Sequence, residues 1–522
     1  MATYPYFILS PSSVLSIAGL LRGPERVVPT PAEDWRQARV DVVIPALNEA
    51  ENIVLCLASV LQQTLRPRRI VLTDDGSHDG TVERAKAFCA MHHVELVTIQ
   101  RPKPIGKTPT IKQQAQELDS DVEFILDADT VLESTNYIER VVEELYQGAG
   151  IASAFGTILP QRRKDRQRAE AMPAVQAYLA KHPAARTATS RGALNAIRRG
   201  ITNLYRETLY LFLQRFLYRG QLAYFGTMSN PVGCAVAYRR QYLKDLFDHI
   251  GPILGDDLTN SEDIFIGFSM LNEGYRNIQL TDVYARTVEP EVQRLPRQIY
   301  LWSSAFLQSC YYYDPLLRSP FKALTRKLTG DGKRAFTRAL ARPAAATAGA
   351  GLHMTPMLAA AGTGLTLSAA AVRYPDLAHV ETEIAARPFA SQQFSGLIAA
   401  GGDRRVIREP YRQAFGRERT ALYGRPAGWI LLMSAVEKIF FPTSLLILLI
   451  LRRWEELAVT AAAETAICVA ALAWVMKGKR LEYAFKGLVA TPIRYALLAS
   501  EIFTIGRFAT DLWITNNRKW RK

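Results

Sequence analysis

The sequence is poor in the residues that build disulfide frameworks and zinc sites. Only five cysteines and seven histidines occur among its 522 residues. The cysteines are scattered and odd in number, and the sequence holds no CxxC pair and no Cys/His cluster. This pattern excludes a zinc site built on cysteine, and it is typical of a protein that works in a reducing compartment.

The N-terminus lacks the features of a secretory signal. The stretch Tyr4–Leu21 is moderately apolar, but no basic region precedes it, and Pro, Ser and Gly interrupt it. A signal peptide requires both a basic start and an uninterrupted apolar run. We therefore interpret residues 1–39 as an N-terminal interfacial or packing segment.

Acidic residues are outnumbered by basic ones. The chain has 64 Lys and Arg against 49 Asp and Glu, which gives a net charge of +15. Such an excess favours an anionic partner, which can be a membrane surface, a nucleotide or a nucleic acid. No known nucleic-acid module is present, so we expect no nucleic-acid partner. The mean hydropathy of −0.03 is high for a purely soluble protein and low for a polytopic one.

Short apolar runs alternate with helical patterns in the first third of the chain. Helical spacing of apolar residues over 53–61 follows the first run, with Asn48 as the expected cap, and a second helix is expected at Thr81–Met91. Strand, helix, strand with short connections predicts an α/β domain with a parallel sheet. The expected strands are Asp41–Pro45, Arg69–Thr73, Val94–Ile99 and Val122–Leu126.

Three acidic motifs follow one another in a fixed order. They are residues 74–77 (DDGS), 127–129 (DAD) and 261–263 (SED), and the first two come directly after apolar runs. Ligands of open α/β sheets bind at the carboxyl ends of the strands, so these carboxylates are placed to hold a nucleotide and a cation. Asp127 and Asp129 are two residues apart and share one side of an extended chain, which suits Mg²⁺ or Mn²⁺.

Each motif has a plainer interpretation when it is taken alone. Residues 74–77 also have the composition of an ordinary turn. The acidic residues near the third motif are also typical of the solvated start of a helix; they are Asp256, Asp257, Glu262 and Asp263. We interpret Asp256 and Asp257 as structural. Only the ordered set favours a nucleotide site.

The stretch from 161 to 218 is strongly basic at its start and helical afterwards. Residues 161–168 read QRRKDRQR, and the following segment up to Tyr218 is rich in Arg, Leu and Tyr. The pattern suits an amphipathic helix on an anionic surface, although an ordinary solvated helix face has the same pattern.

The ordered motifs resemble glycosyltransferase family 2. The resemblance rests on residues 43–49 (VIPALNE), 72–81 (LTDDGSHDGT), the DAD and SED triplets, and a degraded QxxRW box at 298–302. It is closest to the membrane-bound inverting branch, which includes cellulose and hyaluronan synthases and some lipid glucosyltransferases. The resemblance covers residues 40–305 and implies a GT-A fold, which is a Rossmann-like nucleotide-diphospho-sugar transferase domain.

The resemblance also implies roles for single residues. It implies Asp263 as the catalytic base, and Asp127 and Asp129 as ligands of Mg²⁺ or Mn²⁺, with Asp129 the more direct one. A carboxylate at Asp75 would accept the imide N–H of uracil, which indicates a UDP-sugar donor, and Lys107 would meet its diphosphate. The residues implied to bind the nucleotide sugar are Pro45, Ala46, Glu49, Asp75, Lys107 and Asp127.

The acceptor side of the resemblance departs from the family pattern. The implied acceptor contacts are Gly233, Cys234, Gln298 and Trp302. Leu301 occupies the position of the Arg in the QxxRW box, which in the family meets the donor diphosphate. Arg294 and Arg297 are the nearby candidates to replace that charge. Cys234 stands where a smaller residue is usual, and we interpret it as a small buried thiol.

The C-terminal part predicts membrane association. We expect residues 306–428 to form an amphipathic, basic, cytosolic linker, within which 343–372 is long enough to span a bilayer but weakly hydrophobic. Residues 429–522 are expected to be a membrane region that ends in a basic, aromatic tail at 518–522. Its predicted elements are spans at 429–451 and 457–476 and an interfacial helix at 488–513.

The sequence therefore predicts a metal-dependent inverting glycosyltransferase at the cytoplasmic face of a bacterial-type inner membrane. It would move a sugar from a UDP-sugar to a lipid, a lipid-linked saccharide or a growing glycan. Two spans are few for a polysaccharide channel, so a processive synthase would need a partner subunit or a homo-oligomer. The remaining alternative is a non-catalytic nucleotide-binding scaffold of a glycan-assembly complex, which Leu301 would favour.

Overall fold

The computed structural model is an α/β domain followed by long apolar helices. It describes residues 10–22, 27–29, 34–147, 150–183, 193–254, 261–273, 275–322, 324–325, 329, 404–406 and 426–515. Asp256, Asp257, the segment 343–372, the linker residues 373–403 and 407–425 and the tail 518–522 lie outside the described residues.

Strands and helices alternate up to residue 145 and helices dominate afterwards. The strands are β1 Val27–Pro29, β2 Val40–Ala46, β3 Arg69–Asp74, β4 Leu96–Gln100, β5 Val122–Leu126, β6 Thr130–Leu132, β7 Ile151–Pro160, β8 Ala235–Arg239, β9 Arg276–Thr287 and β10 Arg404–Val406. The helices of the α/β domain are α1 Pro11–Arg22, α2 Ile53–Leu61, α3 Thr81–Met91, α4 Lys107–Glu117, α5 Tyr137–Leu145, α6 Arg163–Glu170, α7 Pro173–Lys181, α8 Ala193–Phe212, α9 Tyr218–Phe225, α10 Arg240–Leu254, α11 Glu262–Asn272, α12 Leu295–Tyr312 and α13 Asp314–Leu317. The C-terminal helices are α14 Pro426–Ile450, α15 Trp454–Val475 and α16 Arg480–Trp513.

Eight of these strands form one mixed sheet in the order β4-β3-β2-β5-β8-β7-β9-β6. The four strands β4, β3, β2 and β5 are parallel. β8 runs antiparallel to both β5 and β7, and β6 runs antiparallel to β9. The prediction of an α/β domain with a parallel sheet is therefore confirmed for its first half. The antiparallel strands were not predicted.

The parallel strands β2, β3 and β5 are largely buried inside the sheet, whereas β4 lies at its edge and is partly exposed. β2 has no exposed residue, and every residue of β5 is buried. Buried parallel strands have continuous runs of apolar residues rather than alternating apolar and polar residues. Such runs allowed these strands to be predicted from the sequence. The start of the third strand was predicted two residues too early, because β4 begins at Leu96 and not at Val94.

The expected role of Asn48 as a helix cap was wrong. Helix α2 begins at Ile53, and its N-cap residue is Asn52. Asn48 instead has a φ of 57°, a left-handed conformation that Asn tolerates better than most residues. Its backbone N–H donates to Oγ of Ser77 at 2.8 Å, so it joins the first loop to the DDGS loop.

Three C-terminal helices are long and apolar enough to cross a membrane. They are Ala427–Ile450, Trp454–Val475 and Arg480–Trp513, with mean hydropathies of 1.7, 1.8 and 1.3 over their most apolar windows. The first two overlap the segments 429–451 and 457–476, whose membrane-spanning role stays a prediction. The segment 488–513 is part of the single 34-residue helix α16, so its in-plane orientation stays a prediction.

These helices pack directly on the α/β domain. Glu207 on α8 accepts a hydrogen bond from the Tyr483 hydroxyl at 2.8 Å and pairs with Lys486 at 3.1 Å. At the other end, the N–H of Ser12 on α1 donates to Glu437 on α14. Helix α12 continues across the predicted domain boundary at 305, and that boundary stays a prediction.

Candidate active site

The predicted donor-site residues meet at the carboxyl ends of the parallel strands. Pro45 and Ala46 close β2, and the N–H of Asp75 donates to the carbonyl of Ala46 at 2.8 Å. Asp127 follows β5 directly. Because β2, β3 and β5 are neighbours in one parallel sheet, motifs separated by 50 residues share one edge.

Asp75 organises the loop that leads into α4. Its Oδ1 accepts the N–H of Ile105 at 2.9 Å, and its Oδ2 accepts the N–H of Gly106 at 2.8 Å. Arg101 lies 3.4 Å from Oδ1. A carboxylate has about four acceptor positions, so room is left for a ligand N–H. Asp75 thus fixes the backbone just before Lys107.

Lys107 joins three motifs that lie far apart in sequence. Its Nζ is 2.6 Å from Oδ1 of Asp127 and 2.8 Å from Oε1 of Glu262, and it donates to the carbonyl of Gly233 at 3.1 Å. Burial lowers the pKa of Lys107, but the charges of Asp127 and Glu262 outweigh it, so the pKa lies well above its usual range. The ammonium is therefore a fixed positive charge at the centre of the site.

Negative charge is concentrated around Asp129. Burial first, and then the charges of Asp127 and Glu49, raise the pKa of Asp129 to about 8. Glu49 shows the same effect, because burial and the charge of Asp127 raise its pKa. Its carboxylate also accepts a hydrogen bond from the Asn52 amide at 2.7 Å. Such mutual repulsion between buried carboxylates is relieved by a cation.

The carboxylates fit a divalent cation that is shared with a ligand. Among the described residues, no group of three or more His, Cys, Asp or Glu forms a complete metal cage. Mg²⁺ is commonly bound by only one or two carboxylates, and water and substrate phosphate complete the shell. Asp127 and Asp129 supply such a pair, and Asp129 accepts only weak hydrogen bonds from the hydroxyls of Thr130 and Thr287, at 3.2 and 3.3 Å.

Asp263 lies at the start of α11 and faces Gly233. Its Oδ2 accepts the N–H of Gly233 at 3.2 Å, and its Oδ1 accepts the Ser261 hydroxyl at 2.7 Å. Burial, followed by the charge of Glu262, raises the pKa of Asp263 to about 6. A buried carboxylate with a pKa just below neutral is suited to take a proton at physiological pH.

Gly233 is needed because of this close approach. A Cβ at position 233 would lie 3.0 Å from Cβ of Asp263 and 3.1 Å from Oε1 of Glu262. The first of these atoms is fixed by the helix, so it cannot move away cheaply.

We expect Gly233→Ala to reduce any activity of this site by on the order of tenfold or more, because small displacements of reacting groups have large effects on rate. Gly200→Ala is the matched control, since a Cβ there meets nothing within 4 Å. Initial rates of both variants, measured with the substrates of the reaction proposed for this site, test this. Equal rates for the two variants would contradict it.

Cys234 is a buried structural thiol. Its carbonyl accepts the N–H of Asp127 at 2.9 Å, which ties β8 to the DAD motif. Burial, followed by the charge of Asp127, raises the pKa of its thiol well above the usual range. A thiol held protonated is a poor nucleophile, which agrees with the interpretation of Cys234 as a packing residue.

The QxxRW-like box contacts an arginine that the sequence did not single out. Arg206 on α8 is fully buried, its guanidinium carbon lies 4.4 Å from the centre of the Trp302 ring, and it hydrogen bonds to Gln298. Arg294 and Arg297 are both exposed. Nothing in the sequence distinguishes Arg206 from the other arginines of α8, because its burial depends on tertiary packing.

A cavity of about 510 Å³ connects the site with the C-terminal helices. Asp263 and Trp302 line it on the side of the α/β domain, and Lys438, Cys468 and Arg494 line it on α14, α15 and α16. About half of its lining residues are aliphatic or aromatic. The cavity therefore extends from Asp263 to the helices that are long enough to cross a membrane.

The fold and the site define an α/β domain with acidic groups at the carboxyl ends of its parallel strands. Residues 41–247 match the family model described as Glycosyl transferase family 2, so this part of the chain is a glycosyltransferase family 2 domain. The predicted family resemblance and fold class are thereby confirmed.

Two curated relatives and one solved structure illustrate the likeness. The cholesterol galactosyltransferase of Borreliella burgdorferi is 29% identical over 111 residues, which is 21% of this chain and 29% of the relative. The undecaprenyl-phosphate 4-deoxy-4-formamido-L-arabinose transferase of Aeromonas hydrophila is 29% identical over 119 residues, which is 22% of this chain and 36% of the relative. These matches span about a third of each relative.

The structural likeness is to a mannosyltransferase from Pyrobaculum calidifontis, solved in complex with GDP-Man and Mn²⁺. The TM-score is 0.38 and the sequence identity is 16%. The superposition covers 82% of this chain and 98% of the other.

Proposed function

We propose that this chain is a membrane-associated inverting glycosyltransferase. It moves a sugar from a UDP-sugar to a lipid, a lipid-linked saccharide or a growing glycan at the cytoplasmic face of a bacterial inner membrane. The observation that carries this proposal is the cavity that joins Asp263 to α14, α15 and α16. Both curated relatives are named for lipid substrates, cholesterol and undecaprenyl phosphate, which supports a lipid acceptor here.

The donor would bind at the strand ends. Pro45 and Ala46 let the backbone approach the nucleoside, and the remaining acceptor position of Asp75 takes the imide N–H of uracil. Lys107 offers its fixed positive charge to the diphosphate. Asp127 and Asp129 would hold Mg²⁺ or Mn²⁺, which supplies Lewis-acid stabilisation of the leaving diphosphate when it is bound.

The acceptor would enter from the helix side of the cavity. An apolar lipid tail would lie along the apolar lining residues of α15 and α16, which include Ile467, Leu472 and Leu497. The polar headgroup would then reach Trp302 and, beyond the cavity lining, the predicted contacts Gly233 and Gln298. A sugar ring stacks on an aromatic face such as that of Trp302. This arrangement keeps the hydrophobic part of the acceptor in the membrane region while its hydroxyl approaches Asp263.

The transfer is a single displacement. Asp263 takes the proton of the acceptor hydroxyl as its oxygen bonds to the anomeric carbon. The bond from that carbon to the diphosphate oxygen breaks at the same time, and UDP leaves. The configuration of the anomeric carbon is inverted, because one base and one leaving group lie on opposite sides of it. With a pKa of about 6, Asp263 is ionised at neutral pH.

Release of UDP by the detergent-purified protein tests the proposal. A panel of UDP-sugars is offered with Mn²⁺ and a bacterial lipid extract, and the product is sized. Release with one sugar and a product that carries a single added sugar are expected. A long product would establish the processive synthase instead. UDP binding without release from any sugar would support the non-catalytic scaffold.

A further inference from the structure

Arg206 is the most unusual charged side chain of the α/β domain. Its side chain has no solvent exposure, whereas Arg198 and Arg199, the other basic residues of α8, are only half-buried. It lines the cavity that also holds Asp263 and Trp302. A buried guanidinium is costly unless its donors are satisfied.

The protein satisfies this guanidinium only in part. One nitrogen, Nη2, donates to Gln298. Nε is 3.4 Å from Oε2 of Glu289, which is an ion pair without hydrogen-bond geometry. Within the described part of the chain, neither Nε nor Nη1 has a hydrogen-bond partner. Arg206 therefore keeps unused donors although its side chain has no solvent exposure.

The surroundings hold the guanidinium in one place. Trp302 lies under it at 4.4 Å, and the rings of Tyr205 and Tyr210 are 5.6 and 5.9 Å away. Gln298, which accepts from Arg206, belongs to the same box as Trp302. A planar guanidinium that is fixed against an aromatic ring holds its N–H donors in one orientation. This arrangement suits two oxygens of one phosphate group.

Glu289 links Arg206 to the metal-binding carboxylates. It pairs with Arg206 and hydrogen bonds to Tyr210, and its negative charge contributes to the raised pKa of Asp129. An anion that is bound by Arg206 would therefore lie between the strand ends and the cavity. Under the proposed reaction, two phosphates come to this region: the diphosphate of the donor and the phosphate of a phosphorylated lipid acceptor.

We propose that Arg206 binds a substrate phosphate, and that it thereby supplies from α8 the positive charge that position 301 lacks. Leu301 is not among the cavity-lining residues in the described part of the chain. The inference rests on the proposed function, because that function supplies the phosphate. Its test is a binding measurement and does not require turnover.

The test compares UDP with uridine, which lacks the phosphates. Binding to the full-length protein is measured by calorimetry with Mn²⁺ for wild type, Arg206→Gln, Arg206→Lys and Arg215→Gln. Arg215 is the matched control, since it lies on the helical segment after α8, where it donates to the Thr281 carbonyl at 2.9 Å and does not line the cavity. A charged hydrogen bond is worth roughly ten- to hundredfold in affinity, so UDP binding should weaken by about that factor in Arg206→Gln. Uridine binding and the Arg215→Gln variant should be unchanged.

A second arm distinguishes the two sources of the phosphate. Binding of a polyprenyl phosphate and of the matching polyprenol, both in detergent micelles, is followed by tryptophan fluorescence. If Arg206→Gln weakens only UDP binding, Arg206 meets the donor. If it removes only the preference for the phosphorylated lipid, Arg206 meets the acceptor. A folded Arg206→Gln variant that changes neither overturns the proposal.

Arg206→Lys keeps the positive charge but loses the planar pair of N–H donors. It is the second variant to measure if Arg206→Gln does not fold. We expect it to bind the affected phosphate more weakly than wild type and to bind uridine equally well. Wild-type affinity of Arg206→Lys for both phosphates would also overturn the proposal. If UDP binds as described but no UDP-sugar is turned over, the proposed function fails while the assignment of Arg206 stands.

Discussion

Asp263→Asn should abolish sugar transfer while UDP binding remains. An amide cannot take the proton of the acceptor hydroxyl, and general-base catalysis is typically worth roughly 10²–10⁴ in rate. Asp263 now accepts three hydrogen bonds, from Gly233, Ser261 and Ile264. An amide oxygen in the place of Oδ1 can still accept those from Ser261 and Ile264, so the fold should change little. UDP release and UDP affinity of the purified variant measure the two effects separately.

The control for this variant is Glu273→Gln at the opposite end of α11. It removes a carboxylate from the same helix, and transfer should stay close to wild type.

In the wild-type enzyme kcat/KM should rise with pH through about 6, because the pKa of Asp263 is raised to about 6 and only the ionised form is a base. Wild-type turnover by Asp263→Asn would remove Asp263 from this role.

Asp129→Ala should lose the metal-dependent part of UDP binding. Without this carboxylate only Asp127 is left as the proposed ligand, and Asp127 already lies 2.6 Å from Lys107. Calorimetry with UDP in Mn²⁺ and in EDTA measures the difference, which should be large for wild type and close to zero for the variant. An unchanged Mn²⁺ effect would mean that the cation is held elsewhere.

The raised pKa of Asp129 predicts how the stability of the metal-free protein depends on pH. Its carboxyl has a pKa of about 8 when folded and about 3.9 when unfolded. Between these values the folded state binds more protons, so the free energy of unfolding should fall as pH rises from about 4 to 8. Asp129→Asn should flatten this slope, which thermal unfolding in EDTA can follow. An identical slope in the variant would contradict the raised pKa.

The proposed donor half of the site could be predicted from the sequence because its residues follow short buried strands. Asp75 and Asp127 come directly after apolar runs, and parallel pairing of β2, β3 and β5 brings them to one edge. The pattern of strands alone therefore placed them together. Lys107 was assigned through the family resemblance, and its contact with Asp127 agrees with that assignment.

The acceptor half could not be predicted in the same way. Helices α8, α12 and α16 form the cavity wall, and their mutual packing is set by contacts between distant residues. The basic pattern of α8 suggested an exposed amphipathic face, whereas Arg206 points inward onto Trp302. Likewise, the contact of Glu262 with Lys107 joins residues 155 positions apart and leaves no local signal.

The central claim is that a soluble UDP-sugar and a membrane lipid meet at Asp263. The direct test is transfer of a radiolabelled sugar from its UDP form into the organic-solvent extract of membranes that contain wild-type protein or Asp263→Asn. We predict label in the lipid extract with wild type and only background with the variant. Equal labelling by the two proteins, or label released only as free sugar, would contradict it.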